Sequence, residues 1–360
     1  MDLQPIKICY FPGRESGFVR NRVLIKGLRE AGAVVYDCSL PQKKVSRYFG
    51  AFLKFLRYQG KSDIILIGFL GQFLVPIVKL CTRKKIMFDA FLSVYQTLAF
   101  DRGAIKPNGP PARLVRFVER LSCRLSDIVF LDTDQHIEYF LREYGLDKRK
   151  FYRSFLGADD SFQKREGVEN FKESGEGRFL VHFHGEFQAL HGTQVILQEA
   201  SLLPDVQFRM IGAGRELTSC LDMAEKLKLK NVAFFPPVRW DLIPGYIAEA
   251  DVCLGIFGST QKTQLVIPFK VYEAMAMGKP VLTADTPAVR ELLTHEENVY
   301  LCEAGNSESL AQAIKRLKTD SALRNRIAEN GFKIYKEKCS PSPIGSQIIE
   351  HARELIEHVR

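Results

Sequence analysis

One pattern runs through the whole chain: short apolar runs alternate with stretches whose apolar residues recur at helical spacing. The runs are apolar at most consecutive positions, as in "IKICYFP" (6–12) and "DIILIGF" (63–69). A strand that is apolar on both faces needs cover on both faces, and the intervening helices supply it. The sequence therefore predicts an α/β fold built from parallel sheets that are doubly wound by helices.

The pattern occurs twice along the 360 residues. The first series ends near residue 157, and a polar, Gly-containing segment of little periodicity, "KREGVENFKESGEGR", separates it from the second. At about 150 residues per domain, this length favours two domains. We predict an N-terminal Rossmann-like domain, a linker, a C-terminal Rossmann-like domain, and a C-terminal helical segment that can pack back on the first domain, over 1–160, 161–176, 177–334 and 335–360.

Cysteine usage and hydropathy indicate the cellular compartment in which the protein is expected. The eight cysteines are scattered, with no CxxC pair and no His cluster at ligand spacing, so neither a zinc site nor a disulfide framework is predicted. Reduced thiols are typical of the cytoplasm. The N-terminus does not read as a signal peptide, and no uncharged stretch approaches the ~20 residues of a membrane span. We expect a cytoplasmic protein without a metal site.

The positive charge lies in the first half of the chain. Residues 1–157 contain 27 Lys and Arg against 14 Asp and Glu, whereas residues 158–360 contain 24 against 28. The segment "KKVSRYFGAFLKFLRYQGK" (43–61) interleaves bases with aromatic rings. Such a helix can lie on the anionic inner face of the cytoplasmic membrane, or it can be an amphipathic helix with a solvated basic face. No nucleic-acid-binding signature is present.

Ligands of doubly wound sheets bind outside the carboxyl ends of the strands, and between two such domains the natural site is the cleft. The loop "PGRESG" after the first strand places Gly13 and Arg14 there, either to cradle phosphate or as a simple turn. The loop "HFHGEFQALHG" places Gly185 and His191 at another strand end. Each histidine there is either a structural group or a ligand contact.

A third strand-end loop, "IGAGRE", contains Gly212, Gly214 and Arg215. Two glycines allow the backbone to approach a ligand closely, and the Arg opens the next helix. The loop is an incomplete dinucleotide fingerprint, because the third glycine and the acidic ribose partner are absent.

The strongest candidate is "IPFKVYEAMAMGKPV". Pro268 predicts a helix start, which puts Lys270 and Glu273 one helical step apart on one face, with Phe269 and Val271 in the same first turn. Free N–H groups and the Lys charge suit a phosphate. A carboxylate one turn further along can accept two hydrogen bonds from a vicinal diol such as a ribose. The sequence thus predicts a nucleotide-binding helix.

This segment resembles the donor-binding segment of GT-B-fold glycosyltransferases, in particular retaining family 4 (glycosyl transferases group 1), whose members carry a Glu in an "EAMA-G-PV" context. The order of "HGEFQALHG", "IGAG" and "ADVCLGIF" is also similar, so the resemblance covers about 175–335. It implies two Rossmann-like domains across a cleft. It also implies a UDP- or GDP-sugar donor with Glu273 at its ribose, and an N-terminal domain that binds a glycan or lipid-linked acceptor in cell-envelope polysaccharide or glycolipid synthesis.

Three positions depart from the family pattern. Leu265 stands where many members have a second Glu, and Glu186 and His191 stand where Arg and Lys are usual. The resemblance then requires other groups at the diphosphate. We expect Lys270, Arg215 and Arg14 as cations, with His191 as a hydrogen-bond donor.

The resemblance implies retention without a protein nucleophile, because the diphosphate oxygen takes the acceptor proton, and it implies no required cofactor. Positioned cations then stabilise the leaving diphosphate. Asp89, at the end of "KKIMFD", is our first candidate for orienting the acceptor and Asp101 the second. A helix cap or a salt bridge is the alternative for both. Asp134, in "DTD", is predicted as a helix N-cap rather than a metal ligand.

Three other classes share parts of this pattern. A nucleotide-sugar epimerase has a similar architecture but needs acid and base groups around the sugar. A nicotinamide-dependent oxidoreductase is disfavoured by the incomplete fingerprint. A non-catalytic protein that only binds nucleotide-sugar would show binding without hydrolysis or transfer.

Overall fold

The structure is a computed structural model that describes residues 4–41, 46–163 and 179–357. The chain divides into two units. The first comprises Met1–Asp159 together with Lys338–Arg360, and the second comprises Asp160–Glu337. Most of the predicted linker, from residue 164 onwards, lies outside the described residues.

The first unit contains one six-stranded parallel sheet in the order β2-β1-β3-β4-β5-β6. Its strands are β1 (Lys7–Pro12), β2 (Val34–Asp37), β3 (Ile64–Gly68), β4 (Ile86–Phe91), β5 (Ile128–Leu131) and β6 (Phe151–Arg153). Its first six α-helices are α1 (Val19–Glu30), α2 (Ser46–Gln59), α3 (Leu74–Cys81), α4 (Val94–Gln96), α5 (Pro110–Leu125) and α6 (Asp134–Tyr144).

The central strands of this sheet are covered on both faces, as their composition predicts. Every residue of β3, β4 and β5 is buried, because helices pack on both sides of the sheet. The edge strand β6 was not predicted. It has only three residues, too few to show a pattern in the sequence.

The second unit contains another six-stranded parallel sheet, in the order β12-β11-β10-β7-β8-β9. Its strands are β7 (Phe179–His184), β8 (Val206–Ile211), β9 (Val232–Phe235), β10 (Val252–Leu254), β11 (Val281–Ala284) and β12 (Tyr300–Cys302). Its α-helices are α7 (Thr193–Ala200), α8 (Leu217–Lys226), α9 (Ile243–Glu249), α10 (Phe269–Ala276), α11 (Pro287–Arg290), α12 (Ser307–Thr319) and α13 (Ser321–Ile334).

The last helix, α14 (Pro341–Glu357), packs against α1 in the first unit. The two helices cross at glycines: a Cβ on Gly345 would lie 2.0 Å from the carbonyl carbon of Gly27. Side chains of α14, including Ile344 and Ile348, join the core beneath the first sheet. The C-terminal segment is therefore a structural part of the first unit.

Helix α2 carries an apolar stripe on its exposed side. Phe49, Leu53 and Leu56, at positions i, i+4 and i+7, are 70%, 50% and 43% exposed. Residues 43–45 of the basic, aromatic segment lie outside the described residues. Across the described part of the chain, no helix combines the length and the apolar character that crossing a bilayer demands.

Candidate functional site

The two charged residues predicted from spacing lie at the N-terminal end of α10. Pro268 occupies the N-cap with an extended backbone, and its side chain makes no capping hydrogen bond. Helix α10 begins at Phe269, so Lys270 is its second residue and Glu273 its fifth. The helix starts one residue later than Pro268 because a ψ of 154° keeps that residue outside the helical region.

Lys270 is a buried amine that lacks a hydrogen-bond partner. Lys270 is 6% exposed, and within the described residues nothing accepts a hydrogen bond from its Nζ. The ammonium lies 3.8 Å from the ring centroid of Phe183. Burial lowers the pKa of Lys270 to about 7, against the opposing attraction of Glu273 and Glu186. A buried ammonium group whose N–H donors are not used within the described residues can bind an anion.

Gly185 makes room for this amine. A Cβ at position 185 would lie 2.8 Å from the Nζ of Lys270, closer than a nonbonded contact permits. The backbone also has a φ of +142°, which favours glycine. The loop after β7 therefore accommodates the Lys270 side chain.

Glu273 presents one carboxylate oxygen to the protein and leaves the other open. The residue is 1% exposed. Its Oε2 lies 2.7 Å from the Nε2 of His184, whereas its Oε1 has no partner in the part of the chain that the structure describes. An acceptor that is buried and unpaired costs free energy unless a donor reaches it.

A chain of polar side chains continues behind Glu273. Nδ1 of His184 lies 3.1 Å from Nε2 of His182, and Nε of Arg209 lies 3.4 Å from Nδ1 of His182. Sequence reasoning missed His182 and Arg209. The available signal was alternation: His182 and His184 share one face of β7, and Arg209 interrupts the apolar run of β8 as the register partner of His182.

The site lies at the topological switch point of the second sheet. Strand β7 pairs with β8 on one side and with β10 on the other, so the winding direction reverses between β7 and β10. His184 ends β7, and α10 follows the loop after β10. Open α/β sheets bind ligands at such a point, outside the carboxyl ends of the strands.

The glycines of the neighbouring loops pack against one another. A Cβ on Gly212 would lie 1.8 Å from the carbonyl oxygen of Gly185, and one on Gly214 would lie 2.4 Å from that of Phe187. The amides of Gly185 and Gly212 donate to Ile211 and Phe235. The amides of Gly185 and Gly212 are therefore already bonded within the sheet, and the assignment of Gly185, Gly212 and Gly214 to the donor site stays a prediction.

His191 does not offer the predicted hydrogen bond to a phosphate. Its Nδ1 contacts the carbonyl oxygen of Glu186, which can only accept, so Nδ1 carries the proton. Burial and the nearby Lys270 hold the pKa of His191 well below its usual range. The neutral ring then has a lone pair on Nε2, and this nitrogen accepts rather than donates.

The remaining predicted residues of this unit take different positions. Arg215 is exposed in the turn just before α8. Val271 is fully buried and its amide donates to the carbonyl of Pro268, so its side chain belongs to the core. Phe269 opens α10 and is half-buried.

In the first unit, Gly13 is required by packing. Its amide donates to the carbonyl of Phe69, and a Cβ there would lie 2.1 Å from the carbonyl oxygen of Leu70. The predicted phosphate cradle is wrong for this amide, which is already bonded. Arg14 lies beside it, 3.1 Å from the Glu15 carboxylate and with its guanidinium 4.7 Å from the centroid of Phe18.

Asp89 forms a buried ion pair rather than a ligand contact. Both of its oxygens accept from the guanidinium of Arg20, at 2.9 and 3.0 Å, and neither side chain has any exposed surface. Arg20 also donates to the carbonyls of Ser154 and Phe155. The proposed acceptor-orienting role of Asp89 is therefore wrong, because strand β4 continues to Phe91 and holds Asp89 inside the unit.

The other two predicted aspartates of this unit, Asp101 and Asp134, lie on helical segments. Asp101 ends a π-helical turn, Thr97–Asp101, that follows α4, and it is half-buried. The N-cap of α6 is Thr133, whose side chain accepts from the amide of His136. The N-cap prediction for Asp134 is wrong by one position; Asp134 lies in the first turn and pairs with Arg153. No group of three or more His, Cys, Asp or Glu residues at metal-binding geometry occurs within residues 4–41, 46–163 and 179–357.

The chain contains two doubly wound parallel sheets, as expected for the GT-B fold. A solved structure confirms this fold class. The fold is similar to that of Anabaena HepE in complex with UDP, with a TM-score of 0.72 over 97% of this chain and 100% of that one, at 16% identity. At that identity the likeness establishes the fold.

Residues 165–334 match the sequence model of the family described as Glycosyl transferases group 1. This match lies within the second unit. An uncharacterized glycosyltransferase of Haemophilus influenzae is 29% identical over 36% of this chain and 35% of its own length. Chitobiosyldiphosphodolichol beta-mannosyltransferase of Candida albicans is 22% identical over 62% of this chain and 53% of its own length. The chain thus spans about a third to a half of these relatives.

Proposed function

We propose that the protein is a glycosyltransferase whose second unit binds a nucleotide-sugar through the N-terminal end of α10. The observation that carries the proposal is a pair of buried atoms on successive turns of that helix, Nζ of Lys270 and Oε1 of Glu273, which have no hydrogen-bond partner among the described residues. One is a donor with positive charge and the other an acceptor with negative charge. A nucleotide-sugar supplies the matching groups, an anionic diphosphate and a ribose diol.

The diphosphate fits the Lys270 end. The N-terminal end of a helix carries a positive partial charge, and the N-cap residue Pro268 has no side-chain acceptor that would compete with a phosphate there. Because the pKa of Lys270 is lowered to about 7 in the ligand-free protein, the amine needs an anion to hold its proton firmly. A bound diphosphate supplies that anion.

The ribose fits the Glu273 end. A carboxylate oxygen accepts from hydroxyl groups, and Oε1 is the oxygen left over after His184 has taken Oε2. Discrimination by a buried polar group is strong, because a ligand without the hydroxyl leaves that group unpaired. UDP- and GDP-sugars are the donors that we propose.

The proposed reaction is transfer of the sugar to a glycan or lipid-linked acceptor with retention of the anomeric configuration. The anomeric C–O bond breaks as the acceptor oxygen bonds to the same face, and the leaving diphosphate takes the acceptor proton. Lys270 and the N-terminus of α10 stabilise the charge that develops on that diphosphate. We propose that no added metal or cofactor is required.

Donor binding is the first test. Titration with UDP and with GDP should give saturable binding and raise the unfolding temperature by mass action. Lys270→Met should weaken binding about tenfold or more, as expected for a charge-assisted contact, whereas the exposed Lys315→Met should bind as the wild type does. A protein that binds neither nucleotide, or a Lys270→Met variant with unchanged affinity, contradicts the proposal.

Product analysis separates transfer from the alternatives. Donor incubated with an acceptor mixture should give a new glycoside, and the anomeric coupling constant in its proton NMR spectrum should show retention. A change of the donor sugar without any acceptor indicates an epimerase. Saturable binding without release of nucleoside diphosphate indicates a non-catalytic binding protein.

We also propose that the first unit contacts an anionic membrane surface, in keeping with a role in cell-envelope glycan or glycolipid synthesis. The apolar stripe of α2 (Phe49, Leu53 and Leu56) lies on a helix that also carries Arg57. Two contacts contribute to the free energy of such binding: apolar side chains bury at the headgroup boundary, and basic side chains attract anionic headgroups. The protein should sediment with anionic liposomes and not with neutral ones, and Phe49→Ser should reduce sedimentation several-fold. Equal sedimentation with both kinds of liposome contradicts this part.

A further inference from the structure

The polar chain behind Glu273 has a fixed direction. The guanidinium of Arg209 can only donate, so Nδ1 of His182 must accept. The proton of His182 is then on Nε2 and points at Nδ1 of His184. The proton of His184 is in turn on Nε2 and points at Oε2 of Glu273. Because the guanidinium of Arg209 is always protonated, it sets the tautomer of His182 and, through His182, that of His184.

We propose that Arg209, His182 and His184 are positioning residues, which hold Glu273 with Oε2 occupied and Oε1 available, and so determine recognition of the ribose hydroxyls. The proposal rests on the proposed function, because it assigns a nucleotide to the site. This role does not require Arg209, His182 or His184 to touch the ligand, because they act by orienting Glu273. His182 acts on the ligand only through His184 and Glu273.

The surroundings of His182 support a directional relay. His182 is 1% exposed and His184 8%, and the rings stack with centroids 5.1 Å apart. Burial together with the positive charges of Arg209 and Lys270 holds the pKa of His182 well below its usual range. A neutral imidazole has one donor and one acceptor, which is what a relay needs.

The outer end of the relay is anchored. Nη1 of Arg209 pairs with the Glu249 carboxylate and Nη2 donates to the carbonyl of Tyr246, while the guanidinium carbon lies 5.0 Å from the centroid of the Tyr246 ring. These contacts come from α9 and fix the guanidinium plane. The side chain therefore keeps Nε aimed at His182.

Removing His182 should release Glu273. In His182→Leu, nothing donates to Nδ1 of His184, so that ring can place its proton on either nitrogen. With the proton on Nδ1, the lone pair of Nε2 faces the Glu273 carboxylate across 2.7 Å, which is repulsive. In His182→Gln, the amide oxygen can accept from Arg209 and the amide nitrogen can donate to His184, so the direction is preserved.

The test compares UDP with 2′,3′-dideoxy-UDP, which lacks both hydroxyls that Glu273 would bind. His182→Leu should raise the Kd for UDP about tenfold and change the Kd for the dideoxy nucleotide less than about twofold. His182→Gln should restore UDP affinity to within about threefold of wild type. A purely structural role would weaken both nucleotides equally, and that result would overturn the inference.

A second measurement needs no ligand. Long-range proton–nitrogen NMR spectra distinguish histidine tautomers, and the His182→Gln protein assigns one of the two resonances. Both His182 and His184 should carry the proton on Nε2 at pH 7, and a proton on Nδ1 of either ring would overturn the inference while UDP binding by the wild type stays intact. A wild-type protein that binds neither UDP nor GDP overturns the proposed function and, with it, this role.

Discussion

Replacing Lys270 with methionine should stabilise the second unit at pH 7, and the gain should disappear in alkaline solution. The amine is buried without a hydrogen-bond partner within the described residues, so the folded state holds its proton less tightly than the unfolded chain does. Methionine has a similar length and no charge to desolvate. The variant removes the penalty and keeps most of the packing.

The magnitude follows from the pKa. Burial lowers the pKa of Lys270 from 10.5 to about 7, and one pKa unit corresponds to about 1.4 kcal/mol. At pH 7 the buried amine therefore costs the folded state about 4 kcal/mol. Loss of the contact with the Phe183 ring offsets roughly 1 to 2 kcal/mol of the gain, so Lys270→Met should be more stable by about 2 to 3 kcal/mol.

The sign of the pH dependence is fixed by proton binding. Between pH 7 and about 10.5 the unfolded chain binds more protons at this side chain than the folded chain does. The wild type therefore gains stability from this group as the pH rises, and the advantage of the variant shrinks towards zero. Below pH 7 the penalty stays at its maximum, because both states are then protonated.

The single tryptophan makes the assay specific. Trp240 lies in the second unit, with its ring centroid 5.0 Å from that of Phe162. Urea unfolding followed by tryptophan fluorescence at pH 7 and pH 10 therefore reports this unit. The exposed Lys315→Met is the matched control and should show no pH-dependent difference from wild type. A Lys270→Met protein that is less stable than wild type at pH 7, or a gain that is equal at both pH values, refutes the reasoning.

Three further outcomes test other features. UDP affinity should fall as the pH rises from 7.5 to 9, because the diphosphate needs the protonated Lys270 amine; isothermal titration calorimetry measures this, and a flat profile contradicts it. Asp89→Asn should destabilise the first unit by about 3 to 5 kcal/mol, because the Arg20 guanidinium stays buried without its carboxylate; circular dichroism during urea unfolding measures the loss, and a change below about 1 kcal/mol contradicts it. Gly345→Ala should cost about 1 to 3 kcal/mol in the same assay, because its Cβ meets the backbone of α1, whereas the exposed Ser346→Ala should change stability by less than about 0.5 kcal/mol.

Sequence patterns predicted the sheets because burial on both faces leaves a visible mark. The strand β3 is a consecutive apolar run and β1 is one after Lys7, and both lie where these runs predict a strand. The three-residue edge strands β6 and β12 leave no such mark. The start of α14 at Pro341 was also missed, since "SPSP" reads as a loop although proline is tolerated in the first turn of a helix.

The site was predictable only where its residues are close in sequence. Lys270 and Glu273 are one helical step apart, so spacing alone placed them on one face. The contact between His184 and Glu273 joins residues 89 positions apart, and a single sequence carries no record of that distance. Glycine is similarly ambiguous. Gly212 is required by the carbonyl of Gly185, and the sequence does not distinguish close approach to a loop from close approach to a ligand.

Asp89 and Lys270 show why a charged residue in a strand and one at the start of a helix differ as predictors of a ligand-binding site. Both are charged residues next to apolar runs, and both are buried. The Asp89 carboxylate is satisfied by Arg20 from 69 positions away, so the pair is complete without a ligand. The Lys270 ammonium has an aromatic face beside it and no acceptor within the described residues. A folded protein retains such an unsatisfied buried charge at a cost in stability. The unpaired atoms of Lys270 and Glu273, rather than burial or charge alone, therefore favour α10 over β4 as the ligand-binding element.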